Sequence, residues 1–284
     1  MQVDIIRLPS SQLLVPLRIT NLELSEDSPF YLHSDPREIL DFLSACPELQ
    51  TFCFRGWHHN DPPPTDPLPV VALPQLYTMQ IKSTCMTRAI LSHLDTPRLE
   101  NLYLGQLNAE FELHGEYNEE GDSEDEAHDF SQSPSTDRAI GMGLRALINR
   151  CNPPIRILDM DYSDLRTKDF RFIFERLPLL QDFRIVASDM SDTVIGLLSP
   201  YTLPGDVPRI RLHHLRSLCL QNCNRVSGDA IVNALAARVH YINQQPALVE
   251  SLRTVTIVTC DMVRFEHCER LTELLGNRMQ LLPG

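Results

Sequence analysis

The chain has 284 residues, of which 38 are acidic and 25 basic, giving a formal net charge of −13. Hydrophobic residues make up 43% and charged residues 22%, the balance of a globular protein with ample core material. Ten carboxylates, with no Lys or Arg among them, lie between Glu110 and Asp129, so the remainder carries only −3. We therefore expect no nucleic-acid partner, and no apolar run is long enough to predict a membrane partner.

The amino terminus and the cysteines indicate an intracellular protein, in the cytoplasm or the nucleus. The opening segment, MQVDIIRLPSSQLLVPL, lacks the basic stretch and continuous apolar core of a secretory signal. Eight cysteines in a chain of this length are too sparse for a disulfide framework, and they lie in apolar or helical contexts. We expect these thiols to be reduced.

An apolar-x-x-apolar-x-apolar triplet recurs along the chain. The occurrences are Ile19/Leu22/Leu24, Leu49/Phe52/Phe54, Leu76/Met79/Ile81, Leu99/Leu102/Leu104, Ile155/Leu158/Met160, Leu180/Phe183/Ile185, Leu215/Leu218/Leu220 and Leu252/Val255/Ile257. In five of them a proline stands two residues before the first apolar position, where chance predicts about one or two. Those prolines are 27, 23, 56 and 25 residues apart, so a unit of about 25 residues repeats, with one insertion of about 30.

Helical periodicity fills the intervals between the triplets. Residues 36–46 predict a helix with Asp35 as its N-cap and Pro36 in its first turn. The same periodicity predicts helices over 86–94, 136–151, 167–177 and 227–242. Short strands that are apolar on one side bury that side only by stacking, so we predict an α/β fold of parallel strands in a curved, right-handed solenoid. Whether residues 207–212 add a strand is left open by the pattern.

The pattern is most complete at residues 215–231, LRSLCLQNCNRVSGDAI, where Cys223 occupies the ninth position. This stretch resembles the cysteine-containing class of leucine-rich repeats common in F-box proteins, and Leu252/Val255/Ile257/Cys260 repeats its first half. The irregular repeats and the acidic insertion are similar to the C-terminal region of fungal F-box-like proteins. The resemblance implies one horseshoe domain over residues 1–284, with about eight repeats, strands on the concave face and helices on the convex face.

The resemblance also implies a function, namely substrate recognition for a ubiquitin ligase. No F-box segment is seen before Leu17, so the ligase linker protein is an expected partner only if an F-box lies upstream. The alternative is a repeat scaffold for protein–protein interaction with no ubiquitin role. Since the sequence contains no glycine-rich phosphate loop, G-x-S-x-G elbow or HExxH motif, we expect a non-enzymatic protein without a cofactor.

Alternation along the strands predicts the binding surface, because residues between the apolar positions turn outward onto the concave face. The candidate contacts to a protein or peptide partner are Arg55, Trp57, Lys82, Tyr103, Asp159, Asp161, Asp182, Arg184 and Gln221. Basic side chains come early in the chain and aspartates in its middle, which suits a bipolar partner. The alternative interpretations are a core position for Trp57 and plain solvated strand residues for the others.

Other chemistry-bearing segments favour structural interpretations. Residues 108–137 form an acidic insertion whose charge predicts disorder, and we interpret it as a solubilising loop, with phosphorylation at Ser123 or Ser133 left open. In the repeat register Cys219 turns outward and Cys223 inward, so they are not expected to form a metal pair. His58 and His59 precede a proline-rich stretch and favour a solvated loop over a metal site.

Overall fold

A computed structural model describes residues 2–5, 16–26, 35–56, 67–82, 86–105, 140–161, 165–187, 190–203, 205, 207–245 and 251–282. The fold is α/β with extensive parallel strand pairing. The described residues cluster into two compact units: the first comprises those up to 105 together with 140–155, and the second comprises 156–161 and those from 165 to 282. The acidic insertion predicted at 108–137 lies outside the described residues.

The first unit combines parallel strands with three helices among its described residues. In chain order these are β1 (Gln2–Ile5), β2 (Asn21–Glu26), α1 (Pro36–Ser44), β3 (Thr51–Arg55), β4 (Val71–Ala72), β5 (Thr78–Lys82), α2 (Thr87–His93), β6 (Leu94–Asp95), β7 (Asn101–Gly105) and α3 (Ile140–Cys151). β1, β2, β3, β5 and β7 pair successively, all parallel, while β4 and β6 form a separate parallel pair. α2 packs against α1 and α3.

The second unit repeats the strand–helix alternation. Its elements are β8 (Ile157–Asp161), α4 (Thr167–Arg176), β9 (Asp182–Val186), α5 (Asp192–Gly196), β10 (Ser217–Gln221), α6 (Gly228–Gln244), β11 (Thr254–Val258), α7 (Phe265–Leu275) and β12 (Met279–Leu282). The strands pair in chain order and all in parallel. Each helix from α4 to α7 packs against the next.

Side-chain burial follows the predicted alternation along the strands. In β10, for example, Leu218 and Leu220 are fully buried while Ser217, Cys219 and Gln221 are partly exposed. The second and third apolar residues of every predicted triplet are buried in this way. The first is also buried in each triplet except the earliest, where Ile19 is half-buried. The predicted strands and the inward direction of their apolar residues are confirmed.

Helices α1, α2, α3, α4 and α6 form where the sequence predicted them, whereas α5 and α7 were not predicted. Side-chain caps explain where α1 and α6 begin. The Asp35 carboxylate accepts a hydrogen bond from the Arg37 backbone N–H at 2.7 Å, which confirms the N-cap of α1. Ser227 caps α6 by accepting from the Ala230 N–H at 3.2 Å. Residues 207–212 contain only an isolated antiparallel bridge from Arg209 to Tyr201, so the open interval adds no strand to the parallel pairing described.

Strands β9, β10 and β11 end in the same way. The residue that follows each one, Ala187, Asn222 or Thr259, has a left-handed backbone with φ of 46°, 52° and 49° respectively. The Ala187 N–H donates to the Gln221 carbonyl at 2.8 Å, and the Asn222 N–H donates to the Val258 carbonyl at 2.9 Å. After β9 and β10, this turn therefore ends the strand without losing the hydrogen bond to the next strand.

Candidate protein-binding faces

The first face comprises the outward side chains of the strands in the first unit. Its members in β2, β3, β5 and β7 are Asn21, Glu23, Ser25, Thr51, Cys53, Arg55, Thr78, Gln80, Lys82, Asn101 and Tyr103. The parallel register places Arg55 beside Lys82 and Gln80 beside Tyr103. The structure therefore brings the predicted residues Arg55, Lys82 and Tyr103 onto neighbouring strands.

Hydrogen bonds across strands hold the first face in place. The Cys53 thiol donates to the Gln80 side-chain oxygen at 3.4 Å, and the Asn101 amide donates to the Thr78 hydroxyl at 3.0 Å. Burial is the main cause that raises the pKa of Cys53, outweighing a hydrogen bond from Arg55 that lowers it. Since a raised pKa keeps the thiol protonated, Cys53 supports the arrangement and is not an activated nucleophile.

Arg55 and Lys82 give the first face its cationic character. Arg55 Nη2 contacts Glu23 Oε1 at 3.1 Å, and the Arg55 side chain is still 57% exposed. Like charges directly opposite each other on neighbouring strands repel, and among the described residues Glu23 is a carboxylate that pairs with Arg55. An anionic group from a partner protein would find two cations already positioned beside each other.

The second face comprises the outward side chains of the strands in the second unit. Its members in β8, β9, β10 and β11 are Ile157, Asp159, Asp161, Asp182, Arg184, Ser217, Cys219, Gln221, Thr254, Thr256 and Val258. Arg184 lies at its centre and donates through Nη1 to both Asp159 oxygens, at 2.9 and 3.2 Å. Its Nη2 donates to Gln221 Oε1 at 3.2 Å. Three of the predicted residues thus form one hydrogen-bonded network.

Burial and the Asp159–Arg184 ion pair determine the pKa shifts on the second face. Burial disfavours the charged guanidinium of Arg184, but Asp159, with smaller contributions from Cys219 and Asp161, outweighs burial and raises the pKa of Arg184 above its ordinary value. Burial is the main cause that raises the pKa of Asp182, with Arg216 opposing it. Burial also raises the pKa of the Cys219 thiol. Arg184 and Asp159 hold each other in place on the second face.

The remaining predicted residues are Trp57 and Asp161. Trp57 lies outside the described residues, as do His58 and His59. Asp161 is on the second face, at the carboxyl end of β8. Cys219 is on the outward side of β10 and Cys223 is fully buried, so their predicted opposite directions are confirmed. Contact between these faces and a partner stays a prediction.

Sequence reasoning missed Arg238, a fully buried cation in α6. Its guanidinium donates to the backbone carbonyls of Leu198 at 3.3 Å and Arg211 at 3.0 Å, and also to that of Leu212. Burial lowers the pKa of Arg238 to about 10. The signal in the sequence is an arginine within the apolar run IVNALAARV, where a charged side chain has to find buried acceptors.

No model of a known protein family matches this chain, and a search of curated proteins found no match. Within the described ranges, no helix has the length and apolar character needed to cross a membrane. In the same residues, His, Cys, Asp and Glu side chains do not gather in groups of three or more that could hold a metal ion.

Proposed function

We propose that this chain is a non-enzymatic, protein-binding leucine-rich-repeat module whose two outward strand faces contact a protein or peptide partner. The observation that carries the proposal is the pairing of an apolar, buried row with a polar, exposed row on the same short strands, repeated from β2 to β11. A repeat of this kind presents a broad outward surface built from many short segments. The left-handed turns after β9, β10 and β11 support the repeat interpretation.

The polar contacts within each face support a recognition surface that is ordered before the partner arrives. Arg184 is fixed by Asp159 and Gln221, and Arg55 is fixed by Glu23. Binding side chains that already hold their bound geometry lose less entropy on association. Arginine and tyrosine are also the residue types that most often dominate protein interfaces, which makes Arg55, Tyr103 and Arg184 the strongest candidates.

The cellular setting we propose is substrate recognition for an F-box ubiquitin ligase. This part of the proposal rests on the resemblance of residues 215–231 and 252–260 to the cysteine-containing repeat. The test is co-purification of the ligase linker protein with the product of the complete gene. Retained partner binding without the linker protein would instead favour a repeat scaffold with no ubiquitin role.

Alanine substitutions on the first face test the binding function. We expect Arg55→Ala and Tyr103→Ala each to weaken binding roughly fivefold or more, because an interface anchor contributes more than about 1 kcal/mol. The melting temperature should change little, since both side chains lie on the outward, polar side of their strands. Binding is measured by calorimetric titration of the partner identified by quantitative affinity capture.

Matched controls exist in the turns outside the strands of the same unit. Arg98 is exposed and bonded to Gln75 at 2.7 Å, and Tyr77 is 45% exposed. Arg98→Ala and Tyr77→Ala should leave the affinity unchanged. Equal losses of affinity in the controls and the face variants would contradict binding through the first face.

A further inference from the structure

Two cysteines, Cys223 and Cys260, occupy the same place in successive strand–helix repeats of the second unit. Each follows its strand by two residues, and the strands β10 and β11 are in register, with Gln221 opposite Val258. Both side chains are withdrawn from solvent, with exposed fractions of 0% for Cys223 and 6% for Cys260. The shared left-handed turn at Asn222 and Thr259 gives the two thiols the same direction.

The hydrogen bonds of the two thiols show that they are neighbours. Cys223 Sγ donates to the Gln221 carbonyl at 3.4 Å, and Cys260 Sγ makes the equivalent bond to the Val258 carbonyl at 3.5 Å. Cys260 Sγ also reaches across to the Leu220 carbonyl of β10 at 3.8 Å. The Cys223 side chain and backbone lie close enough to the Cys260 sulfur to lower the pKa of that thiol by hydrogen bonding.

The spacing of the strands suits a covalent bond between the two cysteines. Neighbouring strands lie about 4.8 Å apart. The Cα atoms of disulfide-bonded cysteines are usually separated by roughly 4.4–6.8 Å. Matched places after β10 and β11 therefore put the two Cα atoms within that range. Closure also requires the Cβ atoms to come within roughly 3.5–4.5 Å of each other, so we expect side-chain rotation together with a small approach of the two turns.

Cys260 also differs from the other thiols in its acidity. The hydrogen bonds from Cys223 outweigh burial and hold the pKa of Cys260 below its ordinary value. Burial instead raises the pKa of the thiols of Cys46, Cys53, Cys151, Cys219 and Cys268. Since the thiolate is the form that reacts with peroxides, Cys260 is the more reactive of these thiols wherever access is equal.

We propose that Cys260 and Cys223 form a peroxide-sensitive dithiol that closes to a disulfide between the ends of β10 and β11. The Cys260 thiolate attacks one oxygen of hydrogen peroxide, the O–O bond breaks, and sulfenic acid and hydroxide result. The Cys223 thiol then attacks the sulfenic sulfur, forming the S–S bond, and the sulfenic oxygen leaves as water with the Cys223 proton. Peroxide is reduced and the two thiols are oxidised.

The disulfide would link two consecutive strand–helix repeats within the second unit. The disulfide would join residues 37 positions apart in the sequence and restrict the unfolded chain accordingly. We expect the oxidised protein to melt roughly 5–10 °C above the reduced protein. A small oxidant such as hydrogen peroxide reaches a buried sulfur through local opening of the turn, whereas larger disulfide reagents react more slowly.

Peptide mapping of the Cys219→Ser variant tests the proposal without altering either buried thiol. Trypsin places Cys223 in residues 217–225 and Cys260 in residues 254–264, and Cys219→Ser removes the second cysteine of the first peptide. The reduced protein is treated with hydrogen peroxide at neutral pH and analysed by mass spectrometry. We expect a cross-linked peptide pair with two hydrogens lost, reversed by dithiothreitol, and a higher melting temperature for the oxidised protein.

A Cys223→Ala variant provides the second measurement, after circular dichroism has shown that it folds. Without Cys223 we expect no cross-link, and a sulfenic acid at Cys260 that a 1,3-diketone probe traps. Two results would overturn the proposal: a Cys219→Ser protein whose 254–264 peptide stays reduced while other cysteines oxidise, or one in which Cys260 accumulates sulfinic acid without a cross-link.

Discussion

The close contact between Gly228 and His267 shows how a single residue can determine helix packing in the second unit. A Cβ atom at Gly228 would lie 2.2 Å from His267 Nδ1 and 2.4 Å from the Cγ of the same ring. The ring cannot withdraw easily, because its Nδ1 accepts a hydrogen bond from the Arg264 N–H at 2.9 Å and the residue is buried. Glycine at the start of α6 therefore makes room for the first turn of α7.

Alanine at this position should destabilise the protein. We expect Gly228→Ala to lower the free energy of unfolding by about 1–3 kcal/mol, the usual cost of forcing extra atoms into a packed site. The measurement is urea denaturation followed by circular dichroism.

The control for Gly228→Ala is Gly196→Ala, also in a helix. No atom lies within 4 Å of a Cβ built at Gly196. Since alanine is the better helix former by about 1 kcal/mol, Gly196→Ala should be neutral or stabilising. A Gly228→Ala protein as stable as the wild type would mean that the His267 ring does not occupy that space.

At the scale of elements, Arg238 joins α6 to the segment that precedes β10. Its three carbonyl acceptors, from Leu198, Arg211 and Leu212, lie between the end of α5 and the start of β10, where the described residues form no regular helix or strand of the parallel pairing. Leu212 itself has a left-handed backbone with φ of 50°. In a helix or a strand these backbone carbonyls would accept hydrogen bonds from backbone N–H groups. Here the Arg238 guanidinium donates those hydrogen bonds.

Removal of this cation should cost much of the stability of the protein. We expect Arg238→Ala to lower the free energy of unfolding by about 3–5 kcal/mol, because it leaves a cavity and buried carbonyls without donors. Chemical denaturation monitored by circular dichroism measures the change.

Arg176 provides the matched control, since it is an exposed arginine on α4. Arg176→Ala should change the free energy of unfolding by less than about 0.5 kcal/mol. Similar losses from the two substitutions would show that burial of Arg238 is not what makes it important.

The sequence predicted those elements whose cause is local. The triplets predicted strands such as β3 and β10, because alternation of apolar residues is a property of a few consecutive positions. Asp35 and Pro36 predicted the start of α1 for the same reason. α5 was missed because it spans only five residues, and α7 was missed because it begins after Arg264 without a Ser, Thr, Asp or Asn cap.

The candidate site was predictable only in part. The outward direction of a strand side chain follows from alternation along the strand. The side chains predicted in this way to face outward do so, namely Arg55, Lys82, Tyr103 and Arg184. Which side chains become partners depends on the register between strands. Asp159 and Arg184, for example, are 25 residues apart in the sequence and meet only because β8 pairs with β9. The contacts of Arg238 and the pairing of Cys223 with Cys260 depend on the same long-range geometry.

At the scale of the whole chain, charge is distributed unevenly between the acidic tract and the rest. Ten of the 38 carboxylates lie between Glu110 and Asp129. The described faces contain both signs at close range, as in Glu23 with Arg55 and Asp159 with Arg184. Mixed, mutually bonded charges of this kind favour specificity for a complementary protein surface over attraction to any one sign of charge.

Site-specific photo-crosslinking is the most direct measurement of binding through the strand faces. A benzophenone amino acid is placed at Thr78 or Thr256, on the outward side of β5 and β11, and at Glu38 or Glu269, on the exposed surfaces of α1 and α7. We expect the captured partner to crosslink from at least one strand position and from neither helix position. Crosslinks from the helix positions alone would contradict the proposed role of the strand faces.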